Sequence, residues 1–319
     1  MKHKFISSLK NLCAVSYKYN FDVAISCYRY DVAKSNGQLD TAALARMHRA
    51  ILAYLKKKYA YLIEKYKDEP LFQEQVFSNC RNTIWCFWWQ GIENAPELVR
   101  VCVASIIKNN PACNVVIIDQ TTYKQYVELP DWILDKVQRG LISFTLFSDI
   151  LRFNLLKRWG GIWMDSTIFC VESLPTDYLT APIFTAKSAE AISECPANYR
   201  WTCYLMAGCA ENIIFRFLVD FFDAYFQEHK TAIQYFLVDY GVQLAYDNID
   251  SIRRALDSIP INNEKRGFLT KHLCNEYTEQ FSIEKLRNGT QFYKLFWKQE
   301  CEEYTPDGKP TVWHYIKEY

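Results

Sequence analysis

No stretch of this 319-residue sequence approaches the roughly 20 consecutive apolar residues that a membrane-spanning helix needs, which excludes a spanning protein. The opening residues MKHKFISSLKN hold no apolar core of a signal peptide, so the chain is expected in the cytoplasm. The twelve cysteines form no CxxC pair and stand beside no histidine cluster, which argues against a zinc site. Twelve reduced thiols, mostly buried as small hydrophobes, are the expectation. Internal repeats and low-complexity segments are absent. A Gly-rich dinucleotide turn is missing as well: Gln90-Gly91-Ile92 stands where one would follow the first strand, which disfavours an epimerase. No P-loop lysine motif occurs, which disfavours a kinase. Charge of one sign is not in excess, with 37 basic against 36 acidic residues, and no nucleic-acid partner is expected.

That balance conceals an asymmetry. Residues 1–60 carry eleven Lys and Arg against three acids, a surplus of eight, and the remainder is correspondingly acidic. A basic end can attract an anionic membrane surface, and it can equally be an ordinary solvated helix face. Half of the residues are apolar and 16% are aromatic, enough for a sizeable core.

Two grammars follow one another along the chain. Residues 1–75 read as a helical extension. Within 41–67 the apolar residues Leu44, Met47, Ile51, Tyr54, Leu55, Leu62 and Tyr66 recur at three- and four-residue steps, until Asp68-Glu69-Pro70 breaks the pattern. Residues 76–319 read as an α/β domain. Strands are predicted at 83–89, 114–119 and 162–164, and helices at 96–109 and 145–159, which gives a mostly parallel sheet covered by helices.

The chemistry concentrates in residues 148–167, SDILRFNLLKRWGGIWMDST. Asp149 and Arg152 are three apart and share one helix face. Gly160-Gly161 permits a tight exit from that helix. An apolar strand then ends in Asp165 at its carboxyl edge, where open α/β sheets bind ligands. A carboxylate there can coordinate a divalent cation that neutralises a diphosphate leaving group.

The pattern SDxLRxxLLxxxGGxWxD resembles the bacterial capsular polysaccharide synthesis proteins, themselves similar to the sugar transferases that carry a DxD motif. Further segments match: Trp89-Gln90-Gly91 with 94–99, Val115 to Asp119, Leu129-Pro130 with Ile133 and Lys136, 140–143, 235–240, Ile259-Pro260, and Thr290 with Lys294-Leu295. The resemblance covers roughly residues 83–300. It implies a GT-A (Rossmann-like) fold and hexose transfer from a nucleotide sugar, UDP-glucose or UDP-galactose, with retention of anomeric configuration. The implied acceptor is a lipid-linked oligosaccharide at the inner membrane face.

On that resemblance Asp149 and Arg152 hold the donor sugar, and Trp89, Gln90, Gly91, Asp119, Asp165 and Lys294 surround the nucleotide sugar. Asp239 and Gln243, four apart on a predicted helix, are candidates for the sugar face opposite the leaving group. Trp163 and Trp201 suit sugar stacking less well than core packing. The DxD position reads Asp165-Ser166-Thr167, so one carboxylate is replaced by a hydroxyl. The resemblance still implies Mn²⁺ or Mg²⁺, with Asp165, Thr167 and a late histidine, His314, as expected ligands. The missing acid leaves one alternative: a non-catalytic glycan-assembly partner on the same fold.

Overall fold

The computed structural model describes residues 18–37, 40–72, 82–189 and 194–319. Its first layer is helical: α1 (Phe21–Ser35), α2 (Thr41–Lys58) and α3 (Ala60–Tyr66). Asn20 and Asp40 cap α1 and α2 by accepting from the amides of Val23 and Ala43. The apolar stripe of 41–67 is the buried face, with Leu44, Met47, Ile51, Leu55, Leu62 and Tyr66 all inaccessible. The continuous helix expected there divides at Tyr59. That ring is fully buried edge-on to Phe221, so packing overrides the helical period. The parts of 1–75 that fall in 1–17, 38–39 and 73–75 lie outside the described residues. No helix among the described residues is long and apolar enough to cross a membrane.

Among the described residues seven strands follow: β1 (Thr83–Phe87), β2 (Asn114–Ile118), β3 (Gly161–Met164), β4 (Ile168–Cys170), β5 (Ile183–Thr185), β6 (Leu205–Gly208) and β7 (Phe292–Lys294). Five of them form one sheet in the order β2-β1-β3-β6-β5. β1 runs parallel to β2 and β3, while β6 runs antiparallel to both β3 and β5. Four strands therefore point one way and β6 alone opposes them. The alternation of strand and helix foretold the parallel part, and it gave no sign of β6. β4 and β7 pair separately as an antiparallel ribbon.

The helices of this half are α4 (Glu97–Asn109), α5 (Asp131–Gln138), α6 (Phe144–Trp159), α7 (Ile213–Glu228), α8 (Leu237–Asn248), α9 (Asp250–Ser258) and α10 (Val312–Lys317), with shorter turns between them. α6 is buried around most of its circumference, whereas α7 turns a wide apolar face to the core and keeps a polar one outside. One continuous core joins α1–α3 to the sheet and to α7 and α8, so the N-terminal helices are a layer of the main body. A second, smaller core gathers Phe169, Leu269, Tyr293 and Trp313 around the β4–β7 ribbon.

One expectation about the cysteines is corrected. Cys274 and Cys301 form a disulfide across a Cα–Cα distance of 5.1 Å. Eight others among the described residues are free, and most of these are buried. The two partners are separated by 27 positions in a loop-rich region, and no sequence spacing announces them.

Gly160 decides how α6 feeds β3. Its backbone sits at φ 67°, ψ −153°, a conformation essentially reserved for glycine. A Cβ there would lie 2.7 Å from the amide nitrogen of Ala210 and 2.9 Å from the carbonyl oxygen of Gly208, both rigid backbone atoms. Gly160→Ala is therefore expected to destabilise the protein by at least the roughly 1–3 kcal/mol of such strain. Chemical denaturation measures this, and an unchanged midpoint would contradict the tight exit.

Candidate active site

Because β1, β2 and β3 share a direction, their carboxyl ends lie along one edge of the sheet, where Trp88–Gln90, Asp119 and Asp165 emerge. A cavity of about 500 Å³ opens at the β1 and β3 ends. Asp165, Ser166, Thr167 and Lys294 form its polar floor. Aromatic side chains make its walls: Trp89 stacks on Phe144 with ring centroids 4.6 Å apart, and Trp88 meets Trp297 edge-on at 5.6 Å. Tyr235, Phe296 and Phe144 are largely exposed at the mouth.

The floor is built from three separate parts of the chain. Ser143 accepts from the Leu146 amide and starts α6 in the register that turns Asp149 and Arg152 inward. The Asp165 amide continues β3 by donating to the carbonyl of Tyr204, and Ser166 Oγ ties the turn to the Phe87 carbonyl at 2.8 Å. The ribbon register then sets Lys294 opposite Ile168, three residues past Asp165.

At the centre is Arg152, whose side chain is 4% exposed. It donates to Asp149 Oδ1 at 2.8 Å and to Asp165 Oδ1 at 3.2 Å. Its guanidinium also lies over the Trp163 ring at 4.9 Å, and Trp163 Nε1 donates to Asp165 Oδ1 at 2.8 Å. On the cavity side Lys294 Nζ donates to Asp165 Oδ2 at 2.8 Å and to Thr167 Oγ1 at 2.5 Å. The three carboxylates near Arg152 respond differently. Burial pushes Asp149 up to about 7 despite Arg152, with help from the charges of Asp165 and Asp239. Burial also raises Asp239, against the hydrogen bonds it accepts. Burial would raise Asp165 too, but Lys294 and Arg152 together hold it below its ordinary range. Asp165 is thus the fixed anion of the site.

Residues 34–314 match the family described as "Capsular polysaccharide synthesis protein". The chain belongs to that family. No functionally curated protein matches the sequence. Among solved structures it is similar to the "PaToxG Glycosyltransferase", at 17% identity and a TM-score of 0.39, over 67% of this chain and 88% of that one.

The structure brings together Asp149, Arg152, Asp165, Thr167 and Lys294, with Asp149 and Arg152 buried beneath the cavity lining, and puts Trp89 and Gln90 on the cavity wall. Gly91 and Asp119 stand beside each other at the same edge, outside the cavity lining. Asp119 Oδ1 is engaged by the amides of Thr121 and Thr122, so it shapes its own loop. Asp239 and Gln243 lie behind the site in α8. Asp239 accepts from Trp201 Nε1 at 3.1 Å, while Gln243 bonds to Arg200 and Asp247. Neither lines the cavity. Trp201 is core, whereas Trp163, though buried, borders the floor. His314 is not brought to Asp165: its ring nitrogens face Glu303 at 3.2 Å, in the segment before α10, and Glu318 at 3.6 Å, at the C-cap of α10. Its place in the tail sequence gave no information about where α10 packs. The sequence reading missed Ser143, Phe144, Ser148, Phe296 and Trp297 as wall residues. Ser143 and Ser148 fall inside matched segments, and the nearness of Phe144, Phe296 and Trp297 to such segments is the one signal that could have marked them.

The donor set does not fit the divalent cation implied by the DxD resemblance. Both oxygens of Asp165 already accept from Arg152, Trp163 and Lys294, and the Thr167 hydroxyl accepts from Lys294. Among the described residues no group of three metal-ligating side chains forms. A hard divalent ion seeks about six oxygens. Beside Asp165 Oδ2 it would also meet the Lys294 ammonium, with a repulsion of about 8 kcal/mol at about 4 Å and an effective dielectric of about 20.

The raised Asp149 has a consequence for stability. Its carboxyl binds a proton more tightly in the folded than in the unfolded chain. Its favourable contribution is therefore complete below the ordinary range near pH 4 and is lost as pH rises towards about 7. Asp165 has the opposite sign: its contribution is present above the ordinary range and is lost only on acidification. The melting temperature of Asp149→Asn should therefore gain on the wild type as pH rises from about 5 to about 8. A difference that stays constant with pH would contradict the raised carboxyl.

Proposed function

We propose that this protein is a glycosyltransferase that moves a hexose from a nucleotide sugar, UDP-glucose or UDP-galactose, to a lipid-linked oligosaccharide, with retention of anomeric configuration. Membership of a polysaccharide synthesis family supports a role in building such a polymer. The observation that carries the reading is the floor of the cavity. Two cations grip one carboxylate at the carboxyl end of a parallel strand, beneath aromatic walls open to solvent.

Each part suits the reaction. Glycosyl transfer breaks the bond between the anomeric carbon and the diphosphate oxygen, and negative charge grows on the leaving group. A preorganised cation at that point lowers the barrier more than it lowers the ground state. Asp149 and Arg152, locked together by burial beneath the floor, fix Asp165 in the orientation in which it meets the donor sugar. Trp89 and Phe144 offer a flat surface for a base or a sugar ring. Asp239 lies too deep to touch the sugar, and its role in this reading is to add to the negative field that holds Arg152 charged.

The test is chromatographic release of nucleoside diphosphate from a panel of nucleotide sugars, with UDP-glucose and UDP-galactose expected to turn over. Asp149→Asn and Arg152→Met should each lose about a hundredfold or more, because each loosens the Asp165 carboxylate that the pair holds in place, and displacing a positioned group by about 1 Å costs on that order. Binding of donors with no turnover of any of them would assign the chain to non-catalytic glycan assembly instead.

The basic surplus of residues 1–60 supports docking of the protein on an anionic membrane face, where a lipid-linked acceptor resides. Part of that surplus is neutralised within the fold, since Lys34 pairs with Glu194 and Lys58 with Glu228. Sedimentation with anionic vesicles should therefore show binding that weakens as salt is raised. Binding indifferent to both lipid charge and salt would remove the electrostatic role.

A further inference from the structure

We propose that Lys294 is a built-in counter-ion for the donor's diphosphate, occupying the place a divalent cation takes in DxD transferases, so that donor binding and transfer proceed without added metal. The inference rests on the reading of the cavity as a nucleotide-sugar site.

Three observations carry it. The first is position. Lys294 Nζ bridges Asp165 Oδ2 and Thr167 Oγ1, the two side chains that stand at the ends of the altered DxD motif. The ammonium thus sits between them and joins the two ends of the motif. Replacing the second acid by threonine matches this occupant: a monovalent cation needs less countercharge than a divalent one, and a neutral hydroxyl supplies the second oxygen.

The second is fixation. A flexible lysine would be a poor substitute for a metal, but this one is held at its backbone. Its amide donates to the Arg266 carbonyl at 2.8 Å, its carbonyl accepts from Thr270 Oγ1, and its strand pairs with β4. The Leu295 amide donates to the Thr167 carbonyl at 2.9 Å, which locks the two halves of the bridge together. The Tyr204 ring lies 5.2 Å from Nζ, on the cationic side chain's flank. Farther along, the Cys274–Cys301 disulfide and the bond from Gln299 to the Thr270 carbonyl anchor the loop that follows.

The third is access. The Lys294 side chain is 30% exposed, and it lines the cavity, whereas Arg152 is sealed behind Asp165. Of the two cations at the floor, only Lys294 can reach a ligand without rearrangement. Two of its ammonium protons are used by Asp165 and Thr167, and one remains for a phosphate oxygen.

In the transfer step the bond from the anomeric carbon to the diphosphate oxygen breaks, and its electron pair stays on that oxygen beside Lys294. The acceptor's hydroxyl oxygen forms the new bond to the anomeric carbon, and its proton passes to the departing nucleoside diphosphate. No other reactant is needed.

The experiment measures thermal stabilisation of the full chain by UDP, GDP, CDP and ADP, each in excess EDTA and in Mn²⁺. The expected result is stabilisation by one of them that is equal in both conditions, together with at least a tenfold weaker apparent Kd for Lys294→Met in EDTA and largely retained binding for Lys294→Arg. Stabilisation of the wild type only in Mn²⁺ would overturn the inference and leave the donor reading standing. Undiminished binding by Lys294→Met in EDTA would overturn it as well. Stabilisation by no nucleoside diphosphate in either condition would overturn the donor reading and this inference with it. The wild-type comparison needs no variant, so a misfolded Lys294→Met leaves the metal arm decisive.

Discussion

The buried guanidinium of Arg152 is the constraint around which the site is organised. Removing a charge of this kind from water is expensive, and it is tolerated only when hydrogen-bonded partners of opposite charge surround it. Here Asp149 and Asp165 accept from it directly, Trp163 covers one face, and Asp239 adds its field from behind. Satisfying Arg152 explains why α6 must present Asp149 and Arg152 on the same turn, why β3 must end at Asp165, and why α8 carries an acid into the core. Removing one partner would leave another charge uncompensated, so these residues act as one unit.

A second layer depends on that unit. Asp165, pinned from below, leaves one oxygen facing the cavity, and Lys294 takes it. The β4–β7 ribbon provides the register for that contact, and the smaller core around Phe169 and Tyr293 holds the ribbon in place. The cavity floor therefore alternates in charge, from Arg152 through Asp165 to Lys294, with the outermost charge positive. That order suits an anionic ligand arriving from solvent, and the aromatic walls suit the rings attached to it.

Much of this arrangement was legible in the sequence, for identifiable reasons. Asp149 and Arg152 share a face because helical spacing alone puts them there. Asp165 could be placed because a short apolar strand ending in an acid marks the carboxyl edge of a parallel sheet. The partnership of Lys294 with Asp165 spans 129 positions, and only the tertiary pairing of β4 with β7 creates it; periodicity carries no trace of such a contact. His314 fails as a ligand for the same reason in reverse: its packing turns it to Glu303 and Glu318. Asp239 and Gln243 sit four apart on a helix as foreseen, but the buried side of that helix faces Trp201 and Arg200 and not the cavity. The antiparallel β6 and the disulfide are likewise products of long-range packing.

The central claim is that Asp165, held between Arg152 and Lys294, forms the floor of a nucleotide-sugar site. A crystal structure of the protein with the nucleoside diphosphate or nucleotide sugar that stabilises it tests this most directly. The account predicts a phosphate oxygen against Lys294 Nζ, the sugar or its vacant place against the Asp165 floor, and a ring lying along Trp89 and Phe144. A nucleotide bound away from the Asp165 floor, with Lys294 still closed on Asp165 and Thr167, would contradict it.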